Sequence, residues 1–433
     1  MSPQNKKEGI VKGINEIIIR SQSKGQVPQP AEDDDFKKAK ELLVNPRLLD
    51  EIIEYFNESY VGREKEKKLM YLITLFTKLN HSTLVVVVGE TSSGKSSLVE
   101  TVTGAIPEDF RMTFTATSER FFLYLSKPIH NKVLIVHEIE GIAGLNFLKT
   151  FISEGKAYLG SVIKTREGLR PVEIKKDTRG LVCITTTTKT VMDEEISNRG
   201  FILNIETPPE MIREIILKKQ ELKAPDFKVL KFIYQLLKPV DVVIPFFNKL
   251  AEVFPHNEPR RLRDFDKIVN LIKAHALLYQ YQREKTTNNQ VIATINDYKS
   301  IYNLADIIIP AFSGLTDKQR KFLDWLRPSK TTSQINAFCK SRGIPRSTYY
   351  FWLKKLTDCG LVDKEFDTYV VIGNPDSFSL PSPEEISLAG PLENSVQPLD
   401  NTAGKDTELE IIDATSKEKL QVEKFYTKPI FKW

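Results

Sequence analysis

At 433 residues the chain is long enough for two or three domains, and 41% hydrophobic with 27% charged side chains is the balance of a folded globular protein rather than a disordered or membrane-embedded one. No apolar run reaches the roughly 18 residues of a membrane span, and MSPQNKKEG lacks the apolar stretch of a secretory signal, so a cytoplasmic location and no membrane partner are expected. Cys183, Cys339 and Cys359 lie far apart without C-x-x-C spacing, which excludes a disulfide framework and a cysteine-rich zinc site. The net charge of +5 is uneven. Residues 373–433 hold eleven Asp/Glu against six Lys, which leaves the body with 56 basic and 46 acidic side chains. A basic body suits a polyanionic partner, although solvated lysine faces produce the same excess.

In chain order, residues 1–34 are polar and end in PQPAEDDD, which predicts a flexible leader. Between 35 and 80, apolar residues at helical spacing (Leu42, Leu43, Leu48, Leu49, Ile52, Ile53, then Leu69, Leu72, Leu75, Phe76) predict an N-terminal helical module. Residues 81–207 alternate short apolar strands, near 84–88, 112–116, 133–137, 182–186 and 201–205, with helical segments. That alternation predicts an α/β fold with a parallel sheet and helices on both faces. Within it, residues 157–176 read as a β-hairpin with a basic tip. Residues 208–312 are predicted to be mostly helical, and 315–372 to form three helices and a closing strand pair. The acidic Pro/Ser/Asn-rich remainder, 373–433, is predicted to be disordered up to an aromatic C-terminal patch.

The strongest chemical signal is VVVVGETSSGKSSLVETV. Gly89, Gly94, Lys95 and Ser96 satisfy G-x-x-x-x-G-K-[ST] directly after a β-branched strand and ahead of a helix. The segment Gly89, Glu90, Thr91, Ser92, Ser93, Gly94, Lys95, Ser96, Ser97 is expected to wrap nucleotide phosphates with its backbone N–H groups. Lys95 would reach the β/γ oxygens and the Ser96 hydroxyl would ligate Mg2+, so ATP and Mg2+ are the expected cofactors. The strand at 133–136 ends in His137 and Glu138, where a P-loop hydrolase places a metal-holding acid and a water-activating base. Glu138 is the candidate base. His137 stands where the acid is expected, and imidazole is a poor ligand for a hard ion such as Mg2+. Thr187, ending the fourth strand, is placed to orient the attacking water, and Arg199, ahead of the fifth, to reach a neighbouring subunit's ATP as a finger.

In this order the features resemble AAA+ ATPases with a pre-sensor hairpin, in particular the minichromosome maintenance (MCM) helicases. The stretch from about residue 36 to 283 is similar to the ATPase half of primase-helicases of phages and other mobile elements. The resemblance rests on LLVNPRLLDEIIEYF, VGREKEKKLMYLITLFTKL, TSSGKSSLVETV, SEGKAYL, ITTTTKTVMDEEISNRGFIL and RDFDKIVNLIKAHALLYQYQR. It implies an AAA+ core, a helical lid at 208–312 and a homo-oligomeric, hexameric ring. It also implies a lid arginine, sensor 2, matched by Arg263, with Arg260 and Arg261 as rivals. The hairpin would project into the ring's pore, where Lys164, Arg166 and Arg170 contact the phosphates of single-stranded or forked DNA. Zinc-finger and polymerising modules of such proteins have no counterpart here, so priming is not expected.

Residues 315–372 resemble a winged helix, which implies duplex DNA binding through the start of its third helix, PRSTYYFWLKKL. Arg346, Ser347, Thr348 and Tyr349 would meet bases or phosphates, and Lys354 or Lys355 the backbone. Phe351, Leu353 and Leu356 are expected to pack inward, with Tyr350 and Trp352 open to either side. The end VEKFYTKPIFKW reads as a peptide docking on a replication protein, or as unstructured chain. The resemblances imply an ATP-dependent DNA helicase or translocase for a mobile element or virus, in a prokaryotic or virus-infected cell. The alternatives are an initiator or loader without processive unwinding, and a DNA-binding regulator whose ATP site only binds.

Overall fold

In the computed structural model the described residues are 34–115, 127–137, 152, 155–165, 168–188, 199–256, 260–313, 315, 317–358, 361–372 and 379–387. Helices α1 (Asp34–Leu43), α2 (Leu48–Asn57) and α3 (Glu64–Thr74) come first, and one further turn, Leu75–Leu79, delivers the chain to the sheet. Their apolar stripes are buried, but against the rest of the chain rather than in a module of their own. Phe36 packs edge-on to Phe232 at 5.2 Å and Phe56 to Phe227 at 5.7 Å, so these helices share one core with the helices that follow the sheet.

The strands are β1 (Thr83–Gly89), β2 (Arg111–Phe114), β3 (Val133–Val136), a hairpin of β4 (Lys156–Thr165) and β5 (Gly168–Asp177), β6 (Val182–Thr187) and β7 (Phe201–Ile205), with α4 (Lys95–Gly104) directly after the loop that ends β1. Five of them form a parallel sheet in the order β2-β3-β6-β1-β7, and the hairpin stands apart as an antiparallel pair. β1 is buried on both faces: Val85 and Val87 join the core that holds Leu98, Val99 and Val102 of α4, while Leu84, Val86 and Val88 join the opposite one. A strand covered on both sides needs a continuous apolar run, which is why TLVVVV does not alternate. The chain leaves β3, makes the hairpin and returns as β6 between β3 and β1, bringing Thr187 beside Val88 and Thr185 beside Val136.

Six helices follow: α5 (Pro209–Lys218), α6 (Lys228–Leu236), α7 (Phe247–Val253), α8 (Arg260–Leu278), α9 (Ile295–Tyr302) and α10 (Ala305–Ser313), with a two-residue parallel pair, β8 (Val242–Val243) and β9 (Val291–Ile292). The C-terminal unit has α11 (Asp317–Leu326), β10 (Ser329–Thr331), α12 (Thr332–Ser341), α13 (Arg346–Asp358), β11 (Val362–Glu365) and β12 (Thr368–Val371). Its strands form an antiparallel sheet, β10-β12-β11, over a core that includes Leu323, Leu326, Ile335, Trp352 and Leu356. β10 escapes sequence reading because Ser-Lys-Thr carries no alternation.

The acidic remainder is ordered further than its composition predicts. Leu380 and Ile386 are buried, Tyr298 donates to the Pro381 carbonyl at 2.6 Å, and α14 (Pro383–Ser387) is started by a reciprocal Ser382–Glu385 capping pair. Two apolar anchors and one cap suffice there, and average composition hides them. Among the described residues no helix is long and apolar enough to cross a membrane.

The helical half is cross-linked by Asp297, which is fully buried and capped onto Thr294. It pairs with His275 Nδ1 at 2.7 Å and accepts from Arg283 Nη2 at 2.6 Å. Burial pushes this carboxyl up, but the hydrogen bonds and charges of His275 and Arg283 outweigh it and hold it at about 2, below the ordinary 3.8. A folded value below the unfolded one means stability that is present above about pH 4 and fades as the pH falls toward 2; a shift of just under two units corresponds to roughly 2–3 kcal/mol. Asp297→Ala is expected to lose about 3 kcal/mol at neutral pH by urea unfolding. Its deficit against the parent should shrink steadily as the pH approaches 2.

Candidate nucleotide site

Gly89 closes β1 where the chain has no room for a side chain: a methyl group there would lie 2.6 Å from the Ile205 carbonyl oxygen and 2.7 Å from Ser93 Oγ. The loop then turns through left-handed Ser92 (φ 64°) and Gly94 (φ 83°), and Gly94 is the N-cap of α4. The first N–H groups of a helix have no intrahelical partner, glycine offers no side chain to cap them, and the first turn of α4 holds no acid. These N–H groups and the positive end of the helix dipole suit an anion. Lys95, 9% exposed, curls back so that Nζ donates to the Gly89 carbonyl at 3.0 Å and the Glu90 carbonyl at 2.5 Å, while Ser96 and Ser97 are exposed. A phosphate chain fits this cradle, and the Ser96 hydroxyl is a hard oxygen of the kind Mg2+ prefers.

The loop is braced from behind by residues that sequence reading missed. Arg63, left-handed at φ 62° and 6% exposed, donates through Nη2 to the Glu206 carbonyl at 2.7 Å, to Thr207 Oγ1 at 2.9 Å and to the Ser93 carbonyl at 3.5 Å. Thr207 Oγ1 donates to the same Ser93 carbonyl at 3.2 Å, and Tyr60 Oη to the Gly94 carbonyl at 3.4 Å. The Gly62-Arg63 pair ahead of an acidic helix start was the available signal, but nothing in one sequence says that this arginine turns inward.

The other sequence-predicted residues fall in three places. Thr187 is at the mouth, beside the residue before Gly89, and is half-buried. His137 ends the β3 run, half-buried, with its backbone N–H donated to the Phe114 carbonyl at 3.0 Å. Glu138 and Arg166 lie outside the described residues. Lys164 and Arg170 occupy neighbouring rungs of the β4–β5 ladder near its tip, opposite Leu169 and Ile163.

Arg199 lies at the other edge of the sheet. Gly200 abuts the Leu84 carbonyl at the start of β1, so Arg199 stands about 20 Å from Gly89, the length of a seven-residue strand at roughly 3.3 Å per residue. The middle of α8 passes the same edge: Lys267 lies over the Phe201 ring at 5.6 Å, and Asn270 Nδ2 meets His81 Nε2 at 3.3 Å. Arg260 and Arg261 reach the buried Asp264 at 3.7 and 3.2 Å, burial pushes Lys267 down to about 7, and Arg263 is exposed. Arg199 therefore lies at the far end of the sheet from the phosphate loop of its own chain.

In the C-terminal unit Arg346, Ser347 and Lys354 are exposed and Thr348 is half-buried. Tyr349 departs from the expectation of a DNA contact. It is 3% exposed within the core, with its hydroxyl donated to Asn336 Oδ1, because 349, 352, 353 and 356 form the inward stripe of α13. Trp352 is buried with it, whereas Tyr350 is exposed, with the Arg346 guanidinium 5.3 Å from its ring. This unit sits at the phosphate-loop edge. Lys318 pairs with Glu90 at 2.8 Å and holds its carboxyl below the usual range, Lys321 pairs with Glu206 at 3.1 Å, and Asn204 Nδ2 donates to the Leu315 carbonyl at 3.2 Å.

Arg63→Lys keeps the charge but, on a shorter stem, withdraws the terminal nitrogen that as Nη2 reaches Glu206, Thr207 and Ser93 together. Titration with a fluorescent ATP analogue is expected to show binding weakened about tenfold, or about 1.4 kcal/mol.

Residues 32–238 match the family model described as MTBMA_p00010 P-loop domain. No curated protein matches the chain. The matched stretch runs from just ahead of α1 through α6, so it takes in the helices that share the core with the sheet as well as the loop itself. Residues 32–238 thus match a P-loop domain, and the G-x-x-x-x-G-K-[ST] segment at Gly89–Ser96 lies inside the matched stretch.

Proposed function

We propose that the protein is an AAA+, MCM-like ATPase that translocates on DNA as a head-to-tail ring, hexameric in form, in the replication of a mobile element or virus. The observation that carries this reading is the division of the sheet: the phosphate loop lies at the end of β1 and Arg199 at the start of β7, the opposite edge. In a head-to-tail assembly the two edges of neighbouring copies meet, and each nucleotide is completed by the neighbour's arginines. Exposed apolar residues on α5 (Ile212, Ile216, Leu217) and at the start of α8 (Leu262) support association.

Within one copy, Lys95 would hold the β/γ oxygens and Ser96 the Mg2+, which when bound neutralises phosphate charge. Glu138 would take the proton of the attacking water and Thr187 orient that water, while Arg199 of the neighbouring copy offsets the charge that develops on the leaving phosphates. The β4–β5 hairpin, inserted between β3 and β6, connects this site to DNA through Lys164, Arg166 and Arg170. The C-terminal unit, read as a winged helix, would bind duplex through Arg346, Ser347, Thr348 and Lys354. His137 favours a second reading, a DNA-binding regulator in which nucleotide is bound but not turned over.

ATP hydrolysis with and without single-stranded DNA separates the two. Wild type is expected to turn over ATP faster with DNA, the stimulation falling as salt rises, and Lys95→Ala and Glu138→Gln to be inactive. Turnover absent from wild type and gained in His137→Asp would establish the regulator.

A further inference from the structure

A loop that holds a polyphosphate gains from cations around it, yet the second residue of this one is an acid. The Glu90 side chain is 80% exposed, and its backbone carbonyl accepts from Lys95 Nζ at 2.5 Å. Covalent geometry keeps the Glu90 carboxylate within roughly 10 Å of Lys95 Nζ, so it repels phosphates held there at ordinary salt, where the Debye length is about 10 Å. The compensating charge comes from 228 residues further along the chain. Lys318 Nζ lies 2.8 Å from Glu90 Oε1, and its hydrogen bond and charge hold that carboxyl below the usual range. The segment around Lys318 is seated firmly. Leu315 is 1% exposed and Gln319 is fully buried, Asn204 Nδ2 donates to the Leu315 carbonyl, and Lys321, on the same face of α11 as Lys318, pairs with Glu206 at 3.1 Å. Glu206 is also the residue whose carbonyl Arg63 grips, with the same nitrogen that reaches the Ser93 carbonyl. Two lysines of one helix face thus meet the acid of the phosphate loop and the acid of its brace.

We propose that the C-terminal unit completes the nucleotide site: Lys318 cancels the charge of Glu90, so that nucleotide binds more tightly while this unit is attached to the phosphate loop. The assignment rests on the nucleotide site proposed above and adds to it a positioning residue from outside the stretch 32–238. Lys318 acts through Glu90 and need not touch the nucleotide. A triphosphate carries more negative charge than a diphosphate, so the effect is larger for ATP than for ADP. Coupling of this kind is reciprocal: bound nucleotide tightens the attachment of the C-terminal unit in return.

The test titrates the full-length protein with fluorescent ATP and ADP analogues at low and high salt. Lys318 is exposed, so its variants should keep the fold, as circular dichroism will show. At low salt Lys318→Ala is expected to weaken binding of the ATP analogue about threefold and Lys318→Glu about tenfold, with smaller losses for ADP. At about 0.5 M salt, where the Debye length is near 4 Å, the losses should nearly vanish. Lys318→Arg should bind as wild type does, and adding Glu90→Gln to Lys318→Ala should recover the affinity by removing the charge left uncovered. Hydrogen exchange across α11 is expected to slow when nucleotide binds the wild type. Affinity unchanged in Lys318→Glu, a loss that neither salt nor Glu90→Gln removes, or exchange across α11 that ignores nucleotide overturns the assignment and leaves the nucleotide site standing. A wild-type chain that binds neither analogue overturns both.

Discussion

The contact between Gly89 and the Ile205 carbonyl sets the dimensions of everything around it. With only a hydrogen at Gly89, β1 and β7 stay in parallel register to their last residues, and the loop can begin its turn against the end of β7. From there the left-handed residues Ser92 and Gly94 aim the first turn of α4 back over the strand ends. A side chain at Gly89 would push β7 away, and with it Glu206 and Thr207, the groups through which Arg63 holds the Ser93 carbonyl. The phosphate cradle is therefore a property of three elements at once: a strand covered on both faces, its neighbour, and a buried arginine from the helices ahead of them.

Burying that arginine is tolerable because its Nη2 meets oxygen acceptors, two carbonyls and a hydroxyl, in charge-assisted hydrogen bonds. The same economy appears at Asp297, where one carboxylate serves His275, Arg283 and the cap of α9 together. Both are polar points inside apolar cores, and both join segments far apart in sequence. They give the packing a definite register, which hydrophobic contact alone specifies less sharply.

The sheet also separates charges. At the edge where the strands end stand the phosphate loop and the acids Glu90 and Glu206, each met by a lysine of the C-terminal unit. At the edge where they begin stand Arg199 and, from the middle of α8, Lys267. Placing the C-terminal unit at the loop's edge ties its position to the segment that a nucleotide would contact.

Several features were legible in the residues themselves. The G-x-x-x-x-G-K-[ST] spacing between a β-branched run and a helix located the loop, and the unbroken apolar strands located a doubly covered sheet, because both depend on neighbours within a few residues. The β4–β5 hairpin and the three helices of the C-terminal unit were readable for the same reason. Four things depended on tertiary structure: the shared core that takes in α1 to α3, the inward turn of Arg63, the burial of Tyr349, and the docking of residues 379–387 onto Tyr298. So did the distance that keeps Arg199 from its own chain's loop. Periodicity and motif spacing report local geometry, whereas the direction of a long polar side chain and the meeting of distant segments are set by which surfaces remain to be covered once the sheet has formed.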